Sequence, residues 1–344
     1  MAADDDRAIV VGICGYPALG DLGGSENDAK DFAAWLRAKD GGAMPAENVT
    51  VILSSRYRKS RNPLRAKPTT AELVEAFDAL HDFGKQHGGR AGRRLYIYLA
   101  GHGISPKVQE TALLMANAAR GRGHHFAGRL YAEWFRRAAF FNEVVLFMDC
   151  CREHYPRTTL TEPDYDMANS HRMGRHFYGF ATEWSRASRE GPYGPRGEVR
   201  GLFTLALLAG LRGGARRNEA GELTGSLLEE YVYNDIRDRL KDRASTEEGQ
   251  EPEFDYKKNR DIVFSVAAIP APAWKVRVAL RAANAGKSVE LIGGDLQIVP
   301  ITRVARNRWE WEGLPQGIYR FRLSGEPSEF LELIGEGGVR DVRL

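Results

Sequence analysis

The chain has 344 residues, of which 43% are hydrophobic and 28% charged, with 49 basic and 46 acidic side chains giving a net charge of +3. That length points to one large domain plus a small one rather than a single core. The ordinary composition and near-balanced charge exclude a wholly disordered chain and argue against a nucleic-acid binder acting through bulk charge.

Residues 8–14 (AIVVGIC) are short, apolar and β-branched and stop at Gly15, which predicts a buried strand of a parallel sheet. A glycine-rich loop over 20–24 follows. Ser25 is the expected cap of a helix that opens with Glu26, Asn27 and Asp28 and runs over 29–38, with Phe32, Trp35 and Leu36 on its apolar side. Residues 49–53 (VTVIL) predict a second strand. After a basic loop, Thr69 or Thr70 caps a helix reaching about residue 86, with Leu73, Phe77 and Leu80 at helical spacing. Residues 94–99 predict a third strand, 130–140 a helix, 143–148 a fourth strand and 176–182 a fifth. Residues 203–211 and 227–240 predict two more helices, and 261–266 (DIVFSV) a sixth strand. Strands alternating with helices give an α/β fold with a mostly parallel six-stranded sheet. Beyond the Pro-rich segment 269–273 the helical period disappears. Short alternating runs such as VRVAL, WEWEGL and YRFRL, separated by Gly, Pro and Asn, predict a small β-sandwich over 274–344.

The chain holds three cysteines, Cys14, Cys150 and Cys151, and the adjacent pair is hard to bridge. A reducing compartment is expected rather than a disulfide scaffold. Acids rather than bases precede the first apolar run, unlike a secretion signal. The longest apolar stretch, 202–211, is about half the ~20 residues that span a bilayer. A soluble cytoplasmic protein without membrane contact is therefore expected.

Catalytic groups of open parallel sheets collect beyond the carboxyl ends of the strands. Two predicted strands end in reactive side chains: 94–99 runs into Ala100-Gly101-His102-Gly103, and 143–148 into Asp149-Cys150-Cys151. The glycines allow a sharp turn and leave the imidazole unshielded. A Cys and a His at neighbouring strand ends can meet within hydrogen-bond reach, the imidazole then producing the thiolate that attacks a carbonyl. The backbone N–H groups of Gly103 and Cys151 are candidate oxyanion donors. Taken singly, a strand-end Cys is more often a small buried hydrophobe, and a His in a glycine-rich turn is often only a loop residue. The joint order, Gly-His-Gly and then, about 50 residues on, the Cys, is similar to that of the caspase group.

Four blocks carry a resemblance to metacaspases and caspase-like proteases, covering roughly residues 7–267. Tyr98-Leu99-Ala100-Gly101-His102-Gly103 resembles their Tyr-Ser-Gly-His-Gly block, and Leu146-Phe147-Met148-Asp149-Cys150-Cys151-Arg152 their hydrophobic strand with Asp-x-Cys. Leu22-Gly23-Gly24-Ser25-Glu26-Asn27-Asp28-Ala29 resembles the Leu-x-Gly-x-x-Asn-Asp-Ala block, and Gly201-Leu202-Phe203-Thr204 the Gly-x-Phe-Thr helix start. The resemblance implies that His102 is the catalytic base and Cys151, two residues after the Asp, the nucleophile. Cys150 takes a slot commonly filled by Ser or Ala. In an extended chain it points away from Asp149 and Cys151, so it is read as packed. The resemblance further implies that Asp28 and Asp149 line a specificity pocket for Arg or Lys before the scissile bond, with residues 187–190 as another wall. The plainer reading of Asp28 is a helix-start charge facing the dipole. Ala100 stands where many metacaspases have a Ser that helps hold the basic side chain.

Many metacaspases bind Ca²⁺ in an Asp-rich loop. Here Glu110 is the single acid between Gly103 and His125, and the loop 162–166 offers three, Glu162, Asp164 and Asp166. Calcium takes six or more oxygens, so no calcium requirement, no metal and no cofactor are expected. His124 and His125, beside Arg120 and Arg122, lack a third ligand and read as a solvated basic loop. The basic run 56–67 reads as an exposed loop or processing site rather than a nucleic-acid surface. The glycines at 20–24 lack the spacing of a nucleotide-binding loop.

The expectation is a caspase-like protease domain over 1–268, a linker over 269–273 and a β-sandwich accessory domain over 274–344. It would act on protein or peptide substrates, with the sandwich recruiting an activator or partner. By family analogy such proteins serve in regulated proteolysis, including antiphage defence and cell death. The rival is a catalytically silent caspase-like scaffold whose β domain binds a partner.

Overall fold

A computed structural model describes residues 3–344 apart from 109, 155–157, 167–172, 195–196, 219, 242–249, 267–273, 295, 306–307 and 334–336. Six strands form the principal sheet: β1 (Arg7–Gly12), β2 (Val49–Leu53), β3 (Gly92–Ala100), β4 (Phe141–Asp149), β5 (Arg175–Phe180) and β6 (Glu253–Tyr256), in the spatial order β6-β5-β4-β3-β1-β2. Five run parallel; β6 is antiparallel to β5.

The sheet is buried on both faces, which is why β1, β3 and β4 read as continuous apolar runs. On one face, Ile9, Val11, Leu95, Ile97, Leu99, Val144, Leu146 and Met148 share a core with α2 (Thr70–Gln86) and α3 (Gly128–Arg137), through Leu73, Phe77, Trp134 and Phe135. On the other, Tyr96, Tyr98 and Phe147 stack or meet edge-on with Phe32 of α1 (Ser25–Arg37), and Phe147 meets Phe203 of α4 (Leu202–Ala209). Thr69 caps α2 in a reciprocal box with Glu72, as its sequence predicts.

Two local expectations change. Val263–Val266 is a strand, but it pairs with Glu222–Thr224 in a separate two-stranded sheet. The sixth place in the principal sheet goes to β6, whose sequence EFDY carries no apolar run. It lies half-buried at the antiparallel edge, where such a run is not required. Ser25 does not cap α1: the helix begins at Ser25 itself, and no side chain of the preceding Gly24 can serve.

Two compact units divide the chain, Met1–Leu205 with Ala244–Ile262, and Ala206–Arg243 with Val263–Leu344. The expected linker 269–273 lies outside the described residues. The second unit contains two four-stranded sheets that share one core, with Val276, Val278 and Trp311 from one sheet and Leu291, Phe321 and Leu333 from the other. They form the sandwich expected from the alternating runs. Within the same unit, α5 (Gly225–Lys241) is tied to the sandwich by Arg239, which bonds Asp235 at 2.9 Å and Glu332 at 3.3 Å. Among the described residues no helix is long and apolar enough to cross a membrane.

Candidate active site

Strands β3 and β4 are hydrogen-bonded neighbours that end level, Ala100 opposite Asp149. The segments leaving them stay paired. Gly103–Ser105, which follows His102, runs parallel to Glu153–His154, which follows Cys151, and both belong to a small four-stranded sheet. A Cβ on Gly103 would collide with the Cys151 carbonyl oxygen and with Cys150 Sγ, so only glycine allows the two segments to lie this close.

His102 is held at three points. Its Nε2 lies 3.0 Å from the Gly20 carbonyl oxygen. Because a carbonyl only accepts, Nε2 carries the hydrogen and Nδ1 is left as the basic nitrogen. The His102 N–H donates to Tyr16 Oη at 3.1 Å, and the two rings meet edge-on with centroids 4.7 Å apart. Tyr16 Oη in turn donates to the Leu114 carbonyl at 2.9 Å. Complete burial pushes the Tyr16 phenol well up, so it keeps this proton.

Cys151 Sγ accepts the Ser188 N–H at 3.3 Å and lies 3.8 Å from the Ser188 carbonyl. Burial raises its thiol above the ordinary range; Glu153 and Asp149 add to the rise, and the Ser188 N–H opposes it. The resting group is therefore a thiol. His102 and Cys151 border the same cavities, but among the described residues no hydrogen bond joins their side chains. In resting enzymes such bonds often form only once substrate is bound. Arg152, fully buried, bonds Thr111, Glu253 and the carbonyls of Val108 and Thr182, and so fixes the backbone just after Cys151. Cys150 points into the core beside Met148, and burial pushes its thiol well up. Cys14 accepts the Glu26 N–H at 3.3 Å, with a thiol pushed by burial to about 11.

A cavity of about 170 Å³ is bordered by His102, Cys151, Asp28, Asp149, Ser188, Arg189 and Glu190. Asp149 Oδ2 accepts the Thr204 hydroxyl at 2.6 Å and its N–H at 3.2 Å, while Oδ1 accepts the Ser188 hydroxyl at 3.1 Å. Asp28 Oδ1 accepts Arg200 Nε at 2.6 Å, and Oδ2 accepts the Gly201 N–H at 2.7 Å. Arg200 also reaches Asp31 at 2.7 Å. A Cβ on Gly201 would strike Asp149, so glycine is what lets this strand wedge between the two carboxylates. Burial and the neighbouring Asp149 push Asp28 up to about 8, against the pull of Arg200. Burial also raises Asp149, with Glu190 adding to the rise.

Glu190 supplies what Ser25 does not. Its two carboxylate oxygens accept the N–H groups of Gly23 and Gly24, each at 2.9 Å, where α1 begins with unsatisfied donors. Asp28 lies in the first turn of the same helix, so its helix-start position and its place in the cavity coexist. Ala100 is buried at the end of β3 with its carbonyl accepting the Ile13 N–H at 2.9 Å, and it is not among the residues bordering the cavity.

Sequence reasoning placed His102, Cys151, Asp28 and Asp149 and named the 187–190 wall. It missed Tyr16, Gly20 and Arg200, which act through contacts distant in the chain. Thr204 carried a signal as part of the Gly-x-Phe-Thr block. Among the described residues no group of three or more His, Cys, Asp or Glu side chains could hold a metal ion, and Glu162, Asp164 and Asp166 are exposed.

A family model described as the caspase domain of peptidase C14 matches residues 5–264. A probable protease from a Desulfuromonadales bacterium is 28% identical over 223 residues, covering 60% of this chain; the chain spans only 26% of that protein's length. Among solved structures, caspase-1 from Spodoptera frugiperda superposes with a TM-score of 0.50 at 14% identity, covering 78% of this chain and 92% of that one, a likeness of fold alone. A protein from Geobacter sulfurreducens gives a TM-score of 0.44 at 17% identity, covering 73% and 92%.

Proposed function

Since the chain belongs to the caspase-domain family of peptidases, we propose that it is a cysteine endopeptidase that cuts after Arg or Lys, with Cys151 as nucleophile and His102 as base. The observation that carries this reading is one cavity bordered at once by a thiol, an imidazole and three carboxylates, Asp28, Asp149 and Glu190.

The chemistry follows from the placement. His102 Nδ1 takes the thiol proton, and Cys151 Sγ bonds to the scissile carbonyl carbon. The oxygen of that carbonyl gains charge near the backbone N–H groups of Gly103 and Cys151. The C–N bond then breaks, and His102 returns the proton to the leaving amine. Water, deprotonated by the same imidazole, hydrolyses the thioester and restores the thiol. The raised thiol makes the base necessary, because little thiolate exists at rest. The Gly20 carbonyl holds the imidazole in the tautomer this requires, and Tyr16 holds the backbone that carries it. A guanidinium or ammonium in the acidic cavity would meet lone pairs left over on Asp28, Asp149 and Glu190.

In this reading the residues 274–344 form an accessory domain that recruits an activator or partner, and the peptidase serves regulated proteolysis, in bacterial defence or cell death, in the cytoplasm. The test is a fluorogenic peptide panel varied only at the residue before the scissile amide, with wild type beside Cys151→Ala and Cys150→Ala. Cleavage after Arg or Lys that survives Cys150→Ala and disappears in Cys151→Ala is the expected result. Cleavage after other residues would remove the pocket assignment. If no peptide is cut and a peptide warhead fails to label Cys151, the silent-scaffold reading replaces it.

A further inference from the structure

A second cavity, of about 290 Å³, opens beside the same thiol and imidazole. It shares only His102 and Cys151 with the acidic one, so the two meet at the reacting groups alone. Its walls are chemically different. Leu19, Ile104, Leu114, Ala118 and Ala119 line it, and its ionisable rim, Arg120 and Glu153, is exposed. The wall is rigid where it matters. Ile104 packs into a small buried cluster with Ala112, Ala127 and Leu160. Leu114 is bonded to the base: its N–H donates to the His102 carbonyl at 2.8 Å, and its own carbonyl accepts from Tyr16 Oη, which also holds the His102 N–H.

We propose that this cavity is the subsite for the residue just after the scissile bond, and that it selects an aliphatic side chain there. The inference rests on the assignment of Cys151 as nucleophile and of the acidic cavity to the residue before the bond. With the scissile carbonyl over Cys151 Sγ and the basic side chain among the carboxylates, the next residue is left the other cavity. That is also the cavity bordered by Gly103 and by the wall that carries His102, the group that protonates the departing amine. An aliphatic side chain there replaces water against Leu19, Ile104 and Leu114, and the alanines leave it room. A carboxylate or ammonium would lose solvation against these walls without a buried partner. Tyr16 ties subsite and base into one frame, so filling the cavity also fixes the leaving nitrogen beside the imidazole.

The leaving residue is gone once the thioester has formed, so its identity acts on acylation and not on deacylation. The experiment uses the full chain and internally quenched peptides that share Arg before the cut and carry Leu, Ile, Ala, Gly, Asp or Lys after it. A coumarin amide ending at the same Arg is run in parallel. The expected order of kcat/KM is Leu and Ile above Ala, then Gly, with Asp and Lys lowest, and Leu exceeding Asp by at least roughly tenfold. Ala119→Trp, which fills the cavity, should bring the Leu-to-Gly ratio close to one. Equal rates for Leu, Gly and Asp while the coumarin amide is still cut after Arg would overturn the subsite alone. If neither amide nor peptides are cut, or if Cys151→Ala still cuts them, the nucleophile assignment falls and the subsite with it.

Discussion

The two ends of the principal sheet both carry buried carboxylates, and they treat them in opposite ways. At the amino ends of the strands, Glu143 of β4 is flanked in register by Arg94 of β3 and Arg175 of β5, and Arg93 lies 3.6 Å away. Arg94 Nε bonds Glu143 at 2.6 Å, Arg94 Nη1 bonds Tyr96 Oη at 2.8 Å, and Arg93 also pairs with Asp6. Three guanidiniums thus serve two carboxylates. At the carboxyl ends, three carboxylates, Asp28, Asp149 and Glu190, border one cavity, and Arg200 is the one guanidinium bonded to any of them among the described residues. Hydroxyl and amide donors do the rest. Guanidiniums outnumber carboxylates at the first end and leave no negative charge to spare for a ligand; at the second, carboxylates outnumber the guanidinium bonded to them, with Arg189 also bordering the cavity. The difference separates a structural clasp from the cavity proposed to take a basic side chain.

The comparison breaks first at the clasp. Glu143→Gln leaves Arg94, almost wholly buried, without its counter-charge. Removing one partner of such a pair costs about 3–5 kcal/mol. A chemical-denaturation midpoint should fall accordingly, while the preference among peptides still cleaved stays unchanged. At the open end the pattern should invert. Asp149→Asn keeps the shape, and the Ser188 hydroxyl can turn from donor to acceptor for the new amide, so the denaturation midpoint should hardly move. The rate on Arg and Lys substrates should drop by about 100-fold, or about 2.7 kcal/mol at 1.36 kcal/mol per factor of ten. Equal stability losses at both ends would mean that the carboxylates at the carboxyl ends of the strands are structural after all.

How much of this was legible in the sequence depended on where each residue gets its neighbours. The runs at 8–14, 94–99 and 143–148 are apolar because both faces of the sheet are covered, and strands of that kind announce themselves. His102 and Cys151 follow two of them directly, so chain order alone places both at one end. The edge strand β6 had no such signal, since its EFDY sequence is half-buried throughout. Glu190 is the sharper case. It closes the amino end of α1 from 166 positions away, and a local rule assigned that task to Ser25. The role of Tyr16 depends on Leu114 and His102 lying within reach of one hydroxyl, a matter of tertiary packing. What sequence reading found is carried by local period, by strand ends and, for Asp28 and the 187–190 wall, by family resemblance; what it missed is carried by long-range hydrogen bonds.

The smallest effect sharpens the comparison through pH. Asp28 is held up to about 8 because burial and Asp149 outweigh Arg200. Between pH 7 and 9 its carboxylate goes from about one-tenth to about nine-tenths ionised, so attraction for a cation should grow by at most about tenfold. Other pH-dependent steps of the mechanism would mask this in a raw rate. The ratio of kcat/KM for an Arg substrate over its citrulline analogue cancels those steps and isolates the pocket, and it should rise across that window. The stability sign is opposite. A carboxyl whose folded value lies above its unfolded value of about 3.9 holds its proton more tightly when folded. Its contribution to stability is therefore complete below about pH 4 and is lost as pH rises towards 8. Asp28→Asn should flatten the Arg-to-citrulline profile and remove that slope. A profile that stays steep in the variant would move the titrating charge to Asp149, which burial also raises, and leave Asp28 as the charge that opens α1.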